Sequence, residues 1–128
     1  MTVVSDYITH LDNEWNVIIT AKPSFLNGHK QLVEGLNYIW VYNTKVIYTD
    51  ATADGTMRHE HYFFTLKVGS KDSIDKRDDM LEEVNRISCI EPTGYLYSKA
   101  LSVRHQDTPE GWRSHVRIEI MKLVKLKV

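Results

Sequence analysis

Residues 59 to 87 read HEHYFFTLKVGSKDSIDKRDDMLEEVNRI, and this stretch decides the fold. Its first ten residues alternate as in a strand, so four apolar side chains share one face: Tyr62, Phe64, Leu66 and Val68. After a Gly-Ser break, apolar residues recur mostly three or four positions apart from Lys71 to Ile87, which predicts a helix carrying Ile74, Met80, Leu81, Val84 and Ile87. We expect this apolar stripe to pack on the apolar face of the strand.

The composition is that of an ordinary globular domain with unevenly distributed charge. The chain has 128 residues, 42% hydrophobic and 26% charged, with a formal net charge of −1. This balance disfavours an obligate nucleic-acid-binding protein, which carries a basic excess. Lys71 to Glu91 holds four basic and seven acidic residues, a net of −3, whereas Arg113 to Val128 holds five basic and one acidic, a net of +4. Such surfaces suit either solvent or contact between copies of the chain.

The remaining sequence predicts one more helix and several strands. Thr2 to Trp15 has helical apolar spacing, and the apolar run from Asn16 to Ala21 predicts a short strand buried on both faces. Ser24 to Leu36 is irregular, with one helical turn at His29 to Glu34. Further strands are predicted at Tyr38–Tyr42, Lys45–Thr49, Tyr95–His105 and Trp112–Val128, with a turn or bulge at Asn43-Thr44 and exposed, mobile loops at Asp54-Gly55 and Gln106–Gly111.

The closing strand has the clearest alternation in the chain. Its apolar parity holds Val116, Ile118, Ile120, Val124, Leu126 and Val128, and its polar parity holds Arg117, Glu119, Lys125 and Lys127. Three residues break the pattern: Lys122 falls on the apolar parity, and Met121 and Leu123 fall on the polar one. Either a bulge near Lys122 or an apolar patch that meets a partner explains the break.

Together these elements predict one α+β domain, residues 1–128, with a mostly antiparallel sheet and two main helices packed on one face. The predicted core contains Tyr62, Phe64, Leu66, Leu81, Val84, Ile118 and Ile120. No apolar run approaches the ~18 residues that a membrane span requires, and the first residues lack a signal-peptide pattern, so we expect no membrane partner.

Few residues suggest chemistry. His59 and His61 share one strand face, a spacing that can serve a metal, so a small metal-dependent hydrolase is one alternative. A zinc site needs three or four convergent ligands, and surface histidines are the favoured interpretation. Cys89 is the only cysteine, which excludes an intramolecular disulfide, and no nucleophile motif or phosphate-binding glycine loop occurs. We therefore predict no catalytic activity, no cofactor and no catalytic metal.

A nucleic-acid-binding accessory protein is a second alternative. It would use the cations of the closing strand beside Trp112, namely Arg113, Arg117, Lys122, Lys125 and Lys127. Five cations without an aromatic ladder are also typical of an edge strand protected by lysines. The sequence therefore favours no specific nucleic-acid partner.

The whole layout resembles the tail-terminator and tail-completion proteins of long-tailed phages and related archaeal viruses. The resemblance spans nearly the whole chain and depends on the order of several stretches. They are NEW (13–15) at the end of the opening helix, IITAKP (18–23), WVY (40–42), FFTLKV (63–68), RDDMLEEVNRI (77–87) and RIEIMKL (117–123).

This resemblance implies a structural role without catalytic residues. Such proteins form a ring, typically of six copies, that caps the tail tube and joins it to the head connector. The implied partners are other copies of the chain, the tail tube protein and the head–tail connector or stopper protein. The implied location is the tail or neck of the virion, and the host cytoplasm during assembly.

The charge split suggests how copies could meet. An acidic helix face of Asp78, Asp79, Glu82 and Glu83 on one copy would dock against Arg117, Lys125 and Lys127 on the next. Met121 and Leu123 would supply apolar burial, because exposed ion pairs contribute only ~0–1 kcal/mol each. The predicted contact is therefore heterologous, and it closes into a ring if the rotation between copies allows.

Overall fold

The computed structural model describes residues 3–27, 37–109 and 111–126. Within them lie two helices, α1 (Val3–Glu14) and α2 (Ile74–Ser88). Five strands accompany them: β1 (Ser24–Asn27), β2 (Asn37–Asp50), β3 (Met57–Ser70), β4 (Tyr97–Thr108) and β5 (Gly111–Lys125). The possible helical turn at 29–34, together with Lys127 and Val128, lies outside the described residues.

The strands form one sheet in the order β1-β2-β3-β5-β4. Only β1 pairs in parallel, with β2, and the other three pairings are antiparallel. The long β3 strand lies at the centre because it pairs along its length with both β2 and β5. The predicted α+β class with a mostly antiparallel sheet is confirmed.

Both helices pack on the same face of this sheet, as predicted. Alternate residues of the three central strands meet the apolar stripes of the helices, and the ring of Tyr7 contacts that of Phe64 edge-on at 4.8 Å. Each large side chain buried in this way stabilises the fold by about 1.5–3 kcal/mol. The core comprises Val4, Tyr7, Leu11, Trp15, Ile39, Val41, Phe64, Leu66, Val68, Met80, Val84, Ile87, Tyr95, Val116, Ile118 and Ile120.

Five of the seven predicted core residues are fully buried: Phe64, Leu66, Val84, Ile118 and Ile120. Tyr62 and Leu81 are half-buried at the margin of the core. The hydroxyl of Tyr62 donates to the Glu60 carboxylate, which keeps the ring at the edge of the helical layer. Helix α2 begins at Ile74 rather than Lys71, because the Ser73 side chain caps it by accepting the Lys76 N–H at 3.0 Å.

The predicted strand from Asn16 to Ala21 is wrong. These residues form a turn in which the Asn16 side chain accepts the N–H of Ile18, and its carbonyl accepts the N–H of Ile19 and Thr20. Asparagine favours such turns because its side chain bonds to the backbone two residues ahead. The side chains of Val17, Ile18 and Ile19 are 61%, 91% and 53% exposed, so an apolar run that looked buried points into solvent.

The hairpins also differ in detail from the sequence predictions. Strand β2 is continuous, with a register shift between Tyr42 and Lys45, so the bulge alternative at Asn43-Thr44 is correct. Of the two explanations offered for Lys122, the bulge does not hold, because β3 and β5 pair without interruption. The irregularity in the β4–β5 pairing lies between Ala100 and Ser102 on β4.

The two predicted loops have different outcomes. Asp54 and Gly55 are exposed in the β2–β3 turn, where Gly55 has a φ of 72°. The loop predicted from Gln106 to Gly111 is shorter, since β4 continues to Thr108 and β5 begins at a buried Gly111. The β4–β5 pairing continues through this polar sequence, for example at His105 opposite Ser114 and Thr108 opposite Gly111, so the hairpin is longer than predicted. The mobility of both loops stays a prediction.

Candidate functional site

The sheet face opposite the helices, called the outer face below, is the most distinctive surface of the described chain. No described helix or strand packs on it. Among the described residues, strand pairing places seven cationic residues there but only one carboxylate, Glu119. The cations are Lys45, Lys67, Lys99, Arg104, Arg113, Arg117 and Lys125.

Three cross-strand rows define one end of the outer face. The first row is Trp40, Lys67, His115 and Arg104. The second is Tyr42, Thr65, Arg117 and Ser102, and the third is Tyr38, Gly69, Arg113 and Gln106. Each row begins with an aromatic ring on β2 and carries an arginine on β5 or β4. We call Trp40, Tyr42, Arg104, Arg113, His115 and Arg117 the aromatic–basic platform.

Side-chain contacts order the aromatic part of this platform. The rings of Trp40 and Tyr42 are 6.2 Å apart, and Tyr42 spans β3 so that its Oη lies 3.0 Å from His115 Nδ1. On its other side, His115 Nε2 lies 3.0 Å from Gln106 Oε1. A cavity of about 280 Å³ opens here between Trp40, Tyr42, Lys67, Gln106, Arg113 and His115. The platform therefore contains a cavity, and the hydrogen bond between Tyr42 and His115 holds their rings in place.

The positive charge of the platform affects the pKa of His115. Burial lowers the pKa of His115, and the positive charges of Arg104, Lys67 and Arg113 lower it further. The imidazole is therefore neutral near pH 7. Among the described residues, no carboxylate lies within ion-pair distance of Arg104, Arg113 or Arg117.

The other end of the outer face has its charges balanced around Glu119. The carboxylate of Glu119 accepts from His61 Nδ1 at 2.9 Å and from the Tyr97 hydroxyl at 2.8 Å, and Lys99 Nζ lies 3.3 Å away. Burial acts to raise the pKa of Glu119, but these donors outweigh it and lower the pKa. Burial and the bond to Glu119 raise the pKa of Tyr97 to about 12, so the phenol stays a donor.

The histidine pair considered for a metal takes part in this balanced network. The rings of His59 and His61 are 6.1 Å apart, and both ring nitrogens of His61 already have partners, Glu119 and the Thr49 hydroxyl. Within residues 3–27, 37–109 and 111–126, no group of three or more His, Cys, Asp or Glu side chains could hold a metal ion. The hydrolase alternative therefore gains no third ligand from the described fold.

The predicted acidic helix face is only partly exposed. Asp78, Asp79 and Glu82 face solvent, whereas Glu83 points inward and is 1% exposed. The Glu83 carboxylate accepts the Asn16 backbone N–H at 2.6 Å and two bonds from Arg86, at 2.6 and 2.8 Å. These donors lower the pKa of Glu83, led by the bonds from Arg86. Glu83 is thus a structural anchor, and its inclusion in an intersubunit surface is wrong.

The basic and apolar residues predicted for the same interface do lie together. Arg117, Met121, Leu123 and Lys125 all project from the outer face of β5, and Lys127 lies outside the described residues. Lys122 projects toward the helical side, where its Nζ lies 5.9 Å from the Tyr95 ring. Met121 and Leu123 therefore need no bulge, because they form an apolar patch on the outer face.

The closing-strand cations grouped for nucleic-acid binding are divided between the two faces. Trp112 and Lys122 lie on the helical side, while Arg113, Arg117 and Lys125 lie on the outer face. Trp40, Tyr42, Arg104 and His115 were not predicted as site residues from the sequence. Only the strand order aligns the β2 aromatics with the arginines of β5 and β4, and no spacing within one segment reports it.

Comparisons with known proteins leave the family open. No protein-family model matches this chain, and no curated protein matches its sequence. In the described part of the chain, neither helix has the length and apolar character needed to cross a bilayer.

Proposed function

We propose that this chain is a structural virion protein whose copies assemble head to tail into a hexameric ring. The ring caps the tail tube and joins it to the head connector, as the resemblance of the sequence implies. The observation that supports this proposal is a pair of complementary surfaces on opposite sides of one sheet. One is acidic with an apolar tip, and the other is basic with an apolar patch.

The first surface combines helix α2 with the turn that follows α1. Asp79 and Glu82 are exposed on α2, and the turn that carries the exposed aliphatic tip of Val17, Ile18 and Ile19 is bonded to the same helix. The tip is held firmly, because Asn16 N–H donates to Glu83 and Lys76 Nζ donates to the Thr20 hydroxyl at 2.6 Å. The Trp15 indole N–H also donates to the Thr20 carbonyl at 3.1 Å. A fixed apolar tip loses little conformational entropy when it docks.

The second surface is the end of the outer face away from the platform. Ile47 pairs with His61, which pairs with Met121, so these side chains share a row beside Leu123. Ile47 and Leu123 are exposed, and Arg117 and Lys125 lie on the same face. An apolar patch bordered by cations complements an apolar tip bordered by carboxylates.

The placement of these surfaces favours a ring over a two-fold dimer. A two-fold contact uses the same patch on both copies, whereas a contact between different patches repeats until it closes or forms a filament. Apolar burial supplies about 25 cal/mol per Å², and the ion pairs mainly set orientation and association rate.

Sedimentation velocity of the purified protein, alone and with the tail tube protein, tests the proposal. We expect a species several times the mass of the 14.9 kDa chain. Ile18→Asp and Leu123→Asp should each abolish it, because either change places a charge in the apolar contact.

The matched control is Leu101→Asp on edge strand β4, because Leu101 is 43% exposed and Leu123 is 42% exposed. The control should assemble as the parent does. Assembly lost only in Leu101→Asp would instead indicate pairing through the β4 edge. A monomer under all conditions, with the tube protein present, would rule out the ring.

A further inference from the structure

The aromatic–basic platform lies at the end of the outer face where the proposed ring contact involves Arg117 but none of the other platform residues. Its three arginines belong to two neighbouring strands: Arg113 and Arg117 on β5, and Arg104 opposite His115 on β4. Residues two apart on one face of a strand are separated by about 6.6 Å, and neighbouring strands by about 4.8 Å. Arg113 and Arg117 flank His115 and are therefore about 13 Å apart along β5, and Arg104 on β4 lies about 8 Å from each of them. The three half-buried or exposed side chains form a cationic column along this pair of strands.

This column lacks neutralising groups in the described structure. The arginine Arg77, on the helical side, shows what a neutralised guanidinium looks like, since it binds Asp78 and Asp107 at 2.9 and 3.0 Å. Arg104, Arg113 and Arg117 have no comparable carboxylate among the described residues. Instead they lie next to His115 in the sheet, and the positive charges of Arg104, Lys67 and Arg113 add to the effect of burial in lowering the pKa of His115. Concentrated positive charge of this kind attracts a polyanion.

The aromatic column on β2 lies beside the cations and gives the site its second property. Trp40 and Tyr42 are half-buried, so each ring is held by its neighbours and retains an exposed part. The Trp40 Nε1 donor is buried and has no hydrogen-bond partner in the part of the chain that the structure describes. The cavity of about 280 Å³ that these rings line also contains Arg113 and His115. A ligand that fills it meets a flat apolar ring and a positive charge together.

We propose that the aromatic–basic platform binds single-stranded nucleic acid without sequence preference. Phosphates lie along Arg104, Arg113 and Arg117, and bases rest against Trp40 and Tyr42. Arginine pairs with phosphate through its planar fork of donors, and every base offers a ring face for stacking. The site is compatible with a near-neutral chain because its charge is concentrated on one face.

The pairing of rings with cations selects this ligand among polyanions. A duplex keeps its base faces stacked internally, so it would use the arginines and leave the rings idle. An acidic protein segment would likewise use the charges alone. The Gln106 amide lines the cavity, but its Oε1 already lies 3.0 Å from His115 Nε2. The described residues around the platform therefore offer no set of free amide and carboxylate groups that could read base edges, which is why we infer binding without sequence preference.

Fluorescence anisotropy with a labelled 20-nucleotide oligo-dT tests this proposal. We expect saturable binding whose log K falls with log salt at a slope of about −2, since three phosphate contacts contribute about −0.7 each on a single strand. Arg113→Gln and Arg104→Gln should each weaken binding about tenfold and reduce the slope by about 0.7. Tyr42→Leu should weaken it about tenfold through lost stacking, while Tyr42→Phe should retain it.

Lys22→Gln is the control, because it removes one positive charge from an exposed ion pair with Asp12, away from the platform. It should bind as the parent does. Equal loss in the control, unchanged binding by Arg113→Gln and Arg104→Gln, or no binding at low salt would overturn the proposal. A labelled duplex that binds more tightly, or poly-glutamate that competes as well as oligo-dT, would also overturn it, in favour of a duplex or an acidic protein segment respectively.

Discussion

The two faces of the central sheet are built from the same strands but have opposite compositions. On the helical face, Phe64, Leu66 and Val68 are fully buried beneath α1 and α2. On the outer face, the intervening positions of the same strand hold Phe63, Thr65 and Lys67, none of which lies under a described helix. Because side chains of a strand alternate between the two faces of the sheet, one face forms the core and the other remains available for binding. Substitutions on the helical face should change stability, whereas those on the outer face should mainly change binding.

The largest effect should come from the centre of the helical face. Leu66→Ala is expected to cost about 2–5 kcal/mol, because Leu66 is fully buried and its truncation leaves a cavity. Leu81→Ala removes the same atoms from a half-buried position at the margin of the core, and it should cost roughly half as much or less. Urea unfolding of both variants measures the difference. Equal losses would show that α2 is rotated from the orientation described above.

The second effect concerns the anchor between α2 and the turn after α1. Glu83→Gln should cost about 1–3 kcal/mol near pH 7, because it weakens three charge-assisted hydrogen bonds. The pKa of Glu83 is lowered on folding, so its contribution is present above the ordinary carboxyl pKa of 4.5 and is lost as pH falls through the folded value.

Denaturant unfolding of parent and Glu83→Gln from pH 7 to pH 3 measures this contribution. The stability gap should narrow as pH falls. A gap that is constant over this range would assign the loss to packing instead of charge.

A smaller effect is expected from the balanced end of the outer face. Glu119→Gln should cost about 0.5–1.5 kcal/mol, since its partners His61, Tyr97 and Lys99 are each partly or largely exposed and can rebond to water. Thermal unfolding at pH 7 measures the loss. A cost as large as that of Leu66→Ala would mean that the two faces contribute equally to stability, contrary to the comparison above.

The smallest effect on stability should come from the aromatic–basic platform. Arg113→Gln is expected to change the free energy of unfolding by less than about 0.5 kcal/mol, because its guanidinium has no carboxylate partner among the described residues. The same variant should lose oligo-dT binding. Urea unfolding and anisotropy on one preparation separate the two properties. A strongly destabilised Arg113→Gln would indicate a structural role for this side chain.

The sequence predicted the helical face well because its signals are local. The alternation from Tyr62 to Val68 and the stripe from Met80 to Ile87 identify which side chains are buried. A short apolar run without periodicity carries no such information, and Val17 to Ile19 was therefore assigned to a strand although an asparagine turn exposes it.

The outer face was harder to predict because it is assembled from distant segments. Trp40 and Arg104 stand 64 positions apart and share a row only because β3 and β5 lie between their strands. The role of Glu83 was also out of reach of the sequence. Its pairing with Arg86 three residues ahead can be expected from helical spacing, but its bond to the distant Asn16 cannot. Charge pattern alone could not distinguish this anchor from the exposed Glu82.

Buried Arg77 gives the domain a further property, which concerns how it opens. Its guanidinium donates to the Asp107 carboxylate at 3.0 Å and to the Arg113 carbonyl at 3.2 Å, so one helical side chain binds both strands of the β4–β5 hairpin. Separating α2 from that hairpin would leave the buried guanidinium of Arg77 without these partners, which costs free energy. The first turns of α2 and the tip of the hairpin should therefore open as one cooperative unit, with similar protection of their amide hydrogens from exchange with solvent.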